Sequence, residues 1–229
     1  MRFLLLLLLG CSFHTARAQD NCTALFNWLQ SGKALTYTDY NRKGKETGRS
    51  TMRVTQLKPV AEGTKANIEL DFEDEAMEDY DMSYAITCAG DRLIIDMSSM
   101  LNPALMQSFA SMETEVDYDG IELPAQLTVG QPLDDGTMTV RTSMSGAPGL
   151  GMTMTITTKD RQVVDRETLT TPAGTFDTYK ITYEQQVKLL GARSYQVAEW
   201  WSTEAGLVKS EMYTRNGKLQ SSHVLTARQ

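Results

Sequence analysis

The side chains that most often carry enzyme chemistry are scarce in this chain. Its 229 residues include two histidines, His14 and His223, and three cysteines, Cys11, Cys22 and Cys88. A Ser-His-Asp triad needs a histidine that is held by a carboxylate and faces a nucleophile. His223 shares the phase of the leucines around it in an alternating segment, which is typical of an ordinary strand residue. We therefore predict a non-enzymatic protein with no catalytic residue and no cofactor.

Metal ligands of the usual kinds are also few. The usual zinc sites are excluded, because only His223 and two cysteines remain once a signal segment is removed. A dense acidic run could hold Ca²⁺ through carboxylate oxygens, but it lacks the glycine of an EF-hand loop. It lies between two predicted strands, so a solvated hairpin tip is favoured and no metal is expected. The run comprises Asp71, Glu73, Asp74, Glu75, Glu78, Asp79 and Asp81. Two carboxylates across a cleft would suit a hydrolase, the lowest-ranked alternative, but no pattern places such a pair.

Methionines recur on adjacent predicted strands, at Met138, Met144, Met152 and Met154. A Met-x-Met pair can bind Cu(I), and methionine also lines adaptable apolar surfaces. Their period of two favours a β core instead. If the sheet curls, however, one face becomes a cavity. The residues then predicted to line a ligand site are Met152, Met154, Trp200 and Trp201.

The N-terminus has the features of an export signal. Arg2 precedes an apolar run at 3–9, and Ala16-Arg17-Ala18 forms a small-x-small cleavage site. The apolar run is too short to span a bilayer, so no transmembrane segment is expected. An alternative is a lipobox at 8–11, in which a lipid on Cys11 would anchor the protein to the membrane. We thus expect a signal peptide at 1–18 and a periplasmic or secreted protein, with an outer-membrane lipoprotein as the alternative.

Residues 19–229 suit a single domain, since no Pro/Ser-rich linker divides them. Without Arg2 and Arg17 the chain has 20 basic and 29 acidic residues, a net charge of −9. Such a charge disfavours nucleic acid and anionic lipid headgroups as partners.

Two cysteines, Cys22 and Cys88, remain in this predicted mature chain. In an oxidising compartment they allow at most one intramolecular disulfide. Two free thiols and a bond between chains are the alternatives. The intramolecular bond is favoured because Cys88 falls on the apolar phase of its strand.

The rest of the pattern predicts a mostly β fold. Ala66, Ile68, Leu70 and Phe72 alternate with polar residues, and about a dozen such runs are separated by turn signals. No βαβ alternation occurs, so the sheet should be antiparallel. The segment 98–112 instead has apolar residues at helical spacing and predicts one amphipathic helix, whereas 21–30 fits either a helix or a strand. The expected fold is a curled antiparallel sheet, either a half-barrel or a sandwich.

Four motifs resemble a family of exported bacterial all-β proteins of unknown function. They are Pro172-Ala173-Gly174-Thr175-Phe176, Trp200-Trp201, Gly206-Leu207-Val208-Lys209 and Gly217-Lys218. Leu123-Pro124, Val129-Gly130-Gln131 and Leu133 also fit, and Cys22 and Cys88 match a cysteine pair seen in some members. The resemblance implies an exported β fold similar to the lipoprotein-carrier half-barrels, and it implies no activity.

Together these observations predict an envelope protein that binds an apolar or amphipathic ligand inside a curled sheet. The alternative is a structural module that contacts another envelope protein.

Overall fold

The computed structural model describes residues 22–74, 80–96, 112–144 and 147–229. These residues form one short helix, α1, and thirteen strands of a single sheet. The elements are α1 Cys22–Leu25, β1 Ala34–Asn41, β2 Glu46–Val60, β3 Gly63–Asp74, β4 Tyr80–Ala89, β5 Arg92–Ile95, β6 Glu113–Tyr118, β7 Ile121–Pro124, β8 Gly136–Met144, β9 Ala147–Thr171, β10 Gly174–Lys188, β11 Ala192–Ser202, β12 Gly206–Thr214 and β13 Leu219–Arg228. The prediction of a mostly β fold of about a dozen strands is confirmed.

Every strand pairing is antiparallel, and the strands lie in the order β6-β8-β9-β10-β11-β12-β13-β1-β2-β3-β4-β5-β7. Most neighbours in the sheet are joined by a tight hairpin, as the turn signals predicted. The exceptions are β5–β7 and β6–β8, each of which skips one strand in sequence, and β13–β1, which brings the last and first strands together. β7 is the edge strand that Pro124 predicted, because proline cannot donate to a further strand.

The sheet is strongly curled. Twelve spacings of about 4.8 Å would hold the edge strands β6 and β7 nearly 60 Å apart in a flat sheet. Only Asp119 and Gly120 separate these two strands in the chain, so their ends lie within about 11 Å of each other. The side chain of Tyr118, at the end of β6, accordingly reaches Asp96, which follows β5 near the opposite edge. One face of the sheet is therefore concave, as expected for a half-barrel.

Strand β9 is longer than the sequence pattern predicted. The sequence shows two separate runs of alternation, at 152–156 and 161–170, after a segment at 145–151 that has the glycine-rich composition of a loop. The pairing instead starts at Ala147, which lies opposite Met144, and continues to Thr171. Asp160, with a φ of 56°, marks an irregularity inside β9, and the pairing with β10 shifts between Thr182 and Glu184. An irregular backbone that remains paired on one side explains why two runs of alternation belong to one strand.

The segment after α1 seals one end of the curl, which we call the base. Phe26, Trp28 and Leu29 are buried, and the amide of Asn27 donates to the carbonyl of Thr203 at 3.0 Å. This segment was predicted as either helix or strand, and beyond α1 it is neither. Its backbone makes a turn, with Leu29 N donating to Phe26 O, so the apolar side chains are fixed by packing and not by a regular element.

Two apolar clusters lie on the concave side. The main cluster fills the base and joins residues of distant strands, including Leu35 of β1, Leu93 of β5, Val163 of β9 and Val197 of β11. A smaller cluster packs under the β8–β9 hairpin and comprises Ile121, Met138, Val140, Met154 and Ile156. The predicted amphipathic helix at 98–112 lies outside the described residues except for Met112, and so it stays a prediction. No helix in the described part of the chain is long and apolar enough to cross a membrane.

Candidate binding groove on the concave face

A row of polar side chains crosses the concave face between the two clusters. Each residue in it is the direct cross-strand partner of the next, and such partners point to the same face of a sheet. The row begins in the main cluster and runs through Val163, Ile181, Glu199, Ser210, His223 and Asp39. Val163 and Ile181 are fully buried, whereas the four polar residues are half-buried. The row thus passes from the filled base to partly exposed side chains towards the other end of the curl, which we call the open end. We call the concave surface that these side chains line the candidate groove.

Glu199 is held by two donors. The hydroxyl of Tyr183 donates to Oε1 at 2.7 Å, and the indole N–H of Trp201 donates to Oε2 at 2.7 Å. Burial, and then the charge and the hydrogen bond of Glu199, raise the pKa of Tyr183 well above its ordinary value. The tyrosine therefore stays protonated as a donor, and the carboxylate is fixed in one orientation with a free lone pair on each oxygen.

Arg161 provides the positive charge near Glu199. Its side chain is 5% exposed, and Nη1 donates to the carbonyls of Asp134 at 2.6 Å and Glu122 at 3.3 Å. Burial lowers the pKa of this guanidinium, and the nearby charge of Glu199 opposes that effect. Because Glu122 lies in β7 and Arg161 in β9, these bonds tie the two sides of the curled sheet together.

At the other end of the row, His223 is fixed by two neighbours. Its Nδ1 lies 2.8 Å from Oδ1 of Asp39, and its ring stacks on Tyr37 with the ring centres 4.5 Å apart. Ser210 is directly opposite His223 on β12. Among the described hydrogen bonds none joins Ser210 to His223, so the three residue types of a hydrolase triad lie in a row without the nucleophile–base contact.

The wall of the groove across β2, β3 and β4 is apolar. Leu70, Phe72, Met82 and Tyr84 point to the concave face, since they follow the alternation of the buried Ile68 and Ile86. Each of the four remains half-buried. The hydroxyl of Tyr84 donates to the sulfur of Met52 at 3.2 Å, and burial raises the pKa of this tyrosine.

The groove therefore has two chemically different sides. One side offers carboxylate and hydroxyl acceptors on β11, β12, β13 and β1, and the other offers apolar and aromatic side chains on β3 and β4. Such a surface is complementary to a molecule that has a hydrogen-bonding group at one side and hydrocarbon at the other.

The structure does not gather the four residues that the sequence predicted as a ligand lining. Met154 is buried in the smaller cluster, and Met152 is half-buried two residues away. Trp201 contributes to the groove through its bond to Glu199. Trp200 points to the opposite, convex face, because consecutive strand residues alternate.

On the convex face, neighbouring side chains enclose Trp200. Lys180 and Lys209 lie against its ring at 4.8 and 5.0 Å from the ring centre, and the indole N–H donates to Glu167 at 2.7 Å. The ring is only 5% exposed. The lysine stems thus shield a tryptophan that the pattern alone could not assign to either face.

The predicted disulfide lies only partly within the described residues. Cys88 is fully buried and disulfide-bonded, and α1, which begins at Cys22, contacts β4, which carries Cys88. The side chain of Cys22 is not among those described, so the Cys22–Cys88 pairing stays a prediction. Cys11, the alternative lipidation site, lies outside the described residues. The described part of the chain contains no group of three or more histidine, cysteine or acidic residues placed to hold a metal ion.

Sequence reasoning missed Asp39, Glu199, Tyr183 and Arg161 as residues of one site. They lie on four strands, and only the register of the sheet brings them onto one face. The alternation did place Tyr183 and Ile181 in one phase. It gave no indication that β13 pairs with β1, which is what brings Asp39 to His223.

Comparison with known proteins places this chain in a family. The profile of a family described as DUF3108-like matches residues 30–225. The chain belongs to the DUF3108-like family. This match supports the resemblance to proteins of unknown function that the sequence motifs suggested. No curated protein matches the chain.

Two solved structures share the fold. One is a protein of Bacteroides fragilis described as exported and as having a YmcC-like fold, with a TM-score of 0.70, 24% identity and coverage of 87% of this chain and 96% of that chain. The other, from Parabacteroides distasonis, is described as a lipoprotein, with a TM-score of 0.70, 21% identity and coverage of 88% and 96%. At these identities the likeness shows that the curled sheet is shared, and nothing about ligands.

Proposed function

We propose that this member of the DUF3108-like family is an exported, non-enzymatic envelope protein that binds an amphipathic ligand in the concave groove. The observation that carries this proposal is the polar row from Glu199 to Asp39, which lies beside the half-buried apolar residues of β3 and β4. A sheet face that served only as a core would bury its apolar residues fully and place few charged groups among them.

The polar group of the ligand should be a hydrogen-bond donor. Glu199 and Asp39 are carboxylates with unused lone pairs, and Ser210 adds a hydroxyl. A hydroxyl or an amine would complete these acceptors, whereas a second carboxylate would be repelled. The hydrocarbon part would cover Leu70, Phe72 and Met82 and remove them from water.

Export is supported by the N-terminal segment and by the two fold neighbours. Arg2, the apolar run at 3–9 and the small residues at 16 and 18 form an export signal. One neighbour is described as exported and the other as a lipoprotein. A periplasmic location, with attachment through Cys11 as the alternative, fits both descriptions.

Native mass spectrometry of the protein, extracted from the envelope without detergent, tests the binding proposal. Wild-type protein should carry a bound species of defined mass. Glu199→Gln removes the charged acceptor, and Phe72→Ser removes part of the apolar wall. We expect each change to reduce the occupied fraction by about tenfold, the effect of one charge-assisted hydrogen bond or one buried aromatic ring.

Val164→Ser provides the matched control, because Val164 is a 39% exposed apolar residue that follows the concave Val163 and so points to the convex face. Circular dichroism should show that all variants are folded. The proposal fails if the wild-type protein has only the mass of its polypeptide, or if the control loses the bound species as completely as the groove variants do.

A hydrolase is the second candidate, because Ser210, His223 and Asp39 occupy neighbouring strands in one row. Labelling with a fluorophosphonate probe separates the two functions. A binding protein leaves Ser210 unlabelled, whereas covalent labelling that is abolished by Ser210→Ala would establish a reactive serine and replace the binding proposal.

A further inference from the structure

Seven exposed basic residues lie in the turns of three adjacent hairpins of this acidic protein. Three hairpins that are adjacent in the sheet, β10–β11, β12–β13 and β1–β2, have their turns at the open end of the curl. The turns carry Lys188 and Arg193, Arg215 and Lys218, and Arg42, Lys43 and Lys45, all of them exposed. No acidic residue occurs in the turn segments 41–45, 188–193 and 215–218. We call these seven residues the basic rim.

The turns at the base have the opposite character. Glu62 lies between β2 and β3, Asp91 between β4 and β5, and Glu204 between β11 and β12. Two basic side chains near these turns are paired with carboxylates, Arg92 with Glu122 at 2.8 Å and Arg228 with Glu204 at 2.6 Å. The basic rim is therefore a local feature of three adjacent turns in a protein whose net charge is negative.

The most exposed large apolar residue of the described chain lies within the basic rim. Leu190, at the turn of β10–β11, is 92% exposed and stands between Lys188 and Arg193. The turn is held by a hydrogen bond from Leu189 N to Gly191 O at 3.0 Å, while Leu189 packs against the smaller cluster. The backbone thus presents Leu190 outward, flanked by two cations.

From this arrangement we infer that the basic rim docks on the surface of a membrane that contains anionic phospholipid, with Leu190 inserted at the level of the headgroups. Cations flanking an exposed apolar side chain suit an interface in which anionic headgroups border hydrocarbon. An acidic soluble partner would match the charges but would leave Leu190 without an apolar environment. The expectation from net charge, that anionic headgroups are disfavoured, is replaced here by the local distribution of charge.

The extent of the basic rim determines how the protein would be oriented on a bilayer. The next hairpin, β3–β4, carries Asp71, Glu73 and Asp81 near the same end, so the basic surface ends at β2. The protein would therefore contact the bilayer through the β10–β2 side of its open end. The groove opens at this end, but the docking inference does not depend on the proposed ligand.

Flotation with phospholipid vesicles tests the inference. The exported protein is mixed either with neutral phosphatidylcholine vesicles or with vesicles in which about a third of the lipid is phosphatidylglycerol. Every sample carries Cys11→Ser, so that no lipid chain is attached at that residue. We expect binding to the anionic vesicles only, and binding should weaken as salt is raised.

Two triple variants with the same net charge distinguish the effect of where the basic residues lie from the effect of the total charge. Arg42→Glu, Lys188→Glu and Arg215→Glu change the rim, whereas Lys33→Glu, Lys58→Glu and Lys65→Glu change exposed residues near the base. The rim variant should lose about a hundredfold in partitioning, at about fivefold for each basic residue removed. The base variant should stay within about threefold of wild type. Leu190→Ser should reduce partitioning by several-fold without changing the preference for anionic lipid.

The inference is overturned if the rim and base variants lose vesicle binding to the same extent, because the loss would then come from net charge alone. It is also overturned if wild-type protein binds neither type of vesicle. If wild-type protein binds neither type of vesicle but does bind another envelope protein, and the rim variant does not, then the basic rim is a docking surface for a protein partner instead. Loss of vesicle binding in the rim variant with the groove ligand retained would show that docking and ligand binding are separate properties.

Discussion

Tyr183 and Glu199 lie on neighbouring strands of the concave face, and the tyrosine hydroxyl donates to the glutamate carboxylate at 2.7 Å. The bond matters because a buried phenol cannot ionise without placing a second negative charge beside Glu199. Two further tyrosines, Tyr37 and Tyr84, also have pKa values raised above 10 by burial. The concave face is thus built around three tyrosines that stay neutral in the folded protein.

Alkaline pH should unfold the protein through these tyrosines. Below pH 10 the phenols are protonated in both the folded and the unfolded states, and their contribution to stability is fully present. As pH rises above 10, only the unfolded state loses the protons, so stability is lost until the folded pKa values are reached. Once the pH is well above 10, these three groups alone predict a loss of about 4 kcal/mol per pH unit, and Tyr213, whose pKa burial and Glu211 raise to about 12, adds to it. Urea unfolding at pH 8 to 11 measures this slope.

Tyr183→Phe should reduce that slope by about 1.4 kcal/mol per pH unit, whereas Tyr40→Phe, at a half-buried position on β1, should change it by far less. An unfolding free energy that stays constant between pH 10 and 11 would contradict the burial of the three phenols.

Arg161 should be a major determinant of stability. Arg161→Met removes the donor to Asp134 O and Glu122 O and leaves both carbonyls without that partner. We expect a loss of about 2–4 kcal/mol in the free energy of unfolding. Arg166→Met is the matched control, because Arg166 is exposed and covers the ring of Tyr179 at 5.5 Å. Equal losses in both variants would show that Arg161 does not tie β9 to β7.

Gly63 should not tolerate a side chain. It has a φ of 147°, and a Cβ added there would lie 2.1 Å from the carbonyl oxygen of Cys88. The clash is with backbone and cannot be relieved by rotation of a side chain, so Gly63→Ala should cost more than about 3 kcal/mol. Gly44→Ala, at a φ of 74° with no atom within 4 Å of the added Cβ, should cost only about 1 kcal/mol. Thermal unfolding of both variants compares them directly, and a Gly63→Ala protein as stable as Gly44→Ala would refute the close approach.

Cys88 should be bonded to Cys22. Peptide mapping without reductant should recover the two cysteines in one linked peptide, and reduction should increase the intact mass by the two hydrogens of one disulfide. In the chain-entropy account, closing the loop from 22 to 88 stabilises the fold by about 4 kcal/mol. Cys22→Ser should lower the urea midpoint accordingly. A Cys88 linked to another chain would instead give a dimer on a non-reducing gel.

The sequence was sufficient to predict the strands but not how they are arranged. Alternation located β3 and β4 to within one or two residues, because each has one buried and one exposed face. It separated β9 into two strands, because the irregular backbone at Asp160 interrupts the period without ending the strand. The strand β6 followed directly on the predicted helix and had no recognised signal, since its side chains other than Val116 are exposed.

The groove could not be predicted for a different reason. Its residues are distant in sequence, as are Asp39 and His223, and they meet through pairings that no local pattern specifies. Parts of the basic rim can be recognised from the sequence, because Arg42 to Lys45 and Arg215 to Lys218 both have the polar, glycine-containing composition of hairpin turns. Only the order of the strands shows that these turns lie side by side.

The most direct test of the binding groove is an experimental structure, at high resolution, of the protein extracted from its own envelope without detergent. The account predicts continuous non-protein density between Glu199 and Phe72, with a polar end at the carboxylate and an apolar end on β3 and β4. A groove filled along its whole length by side chains of the protein would contradict it.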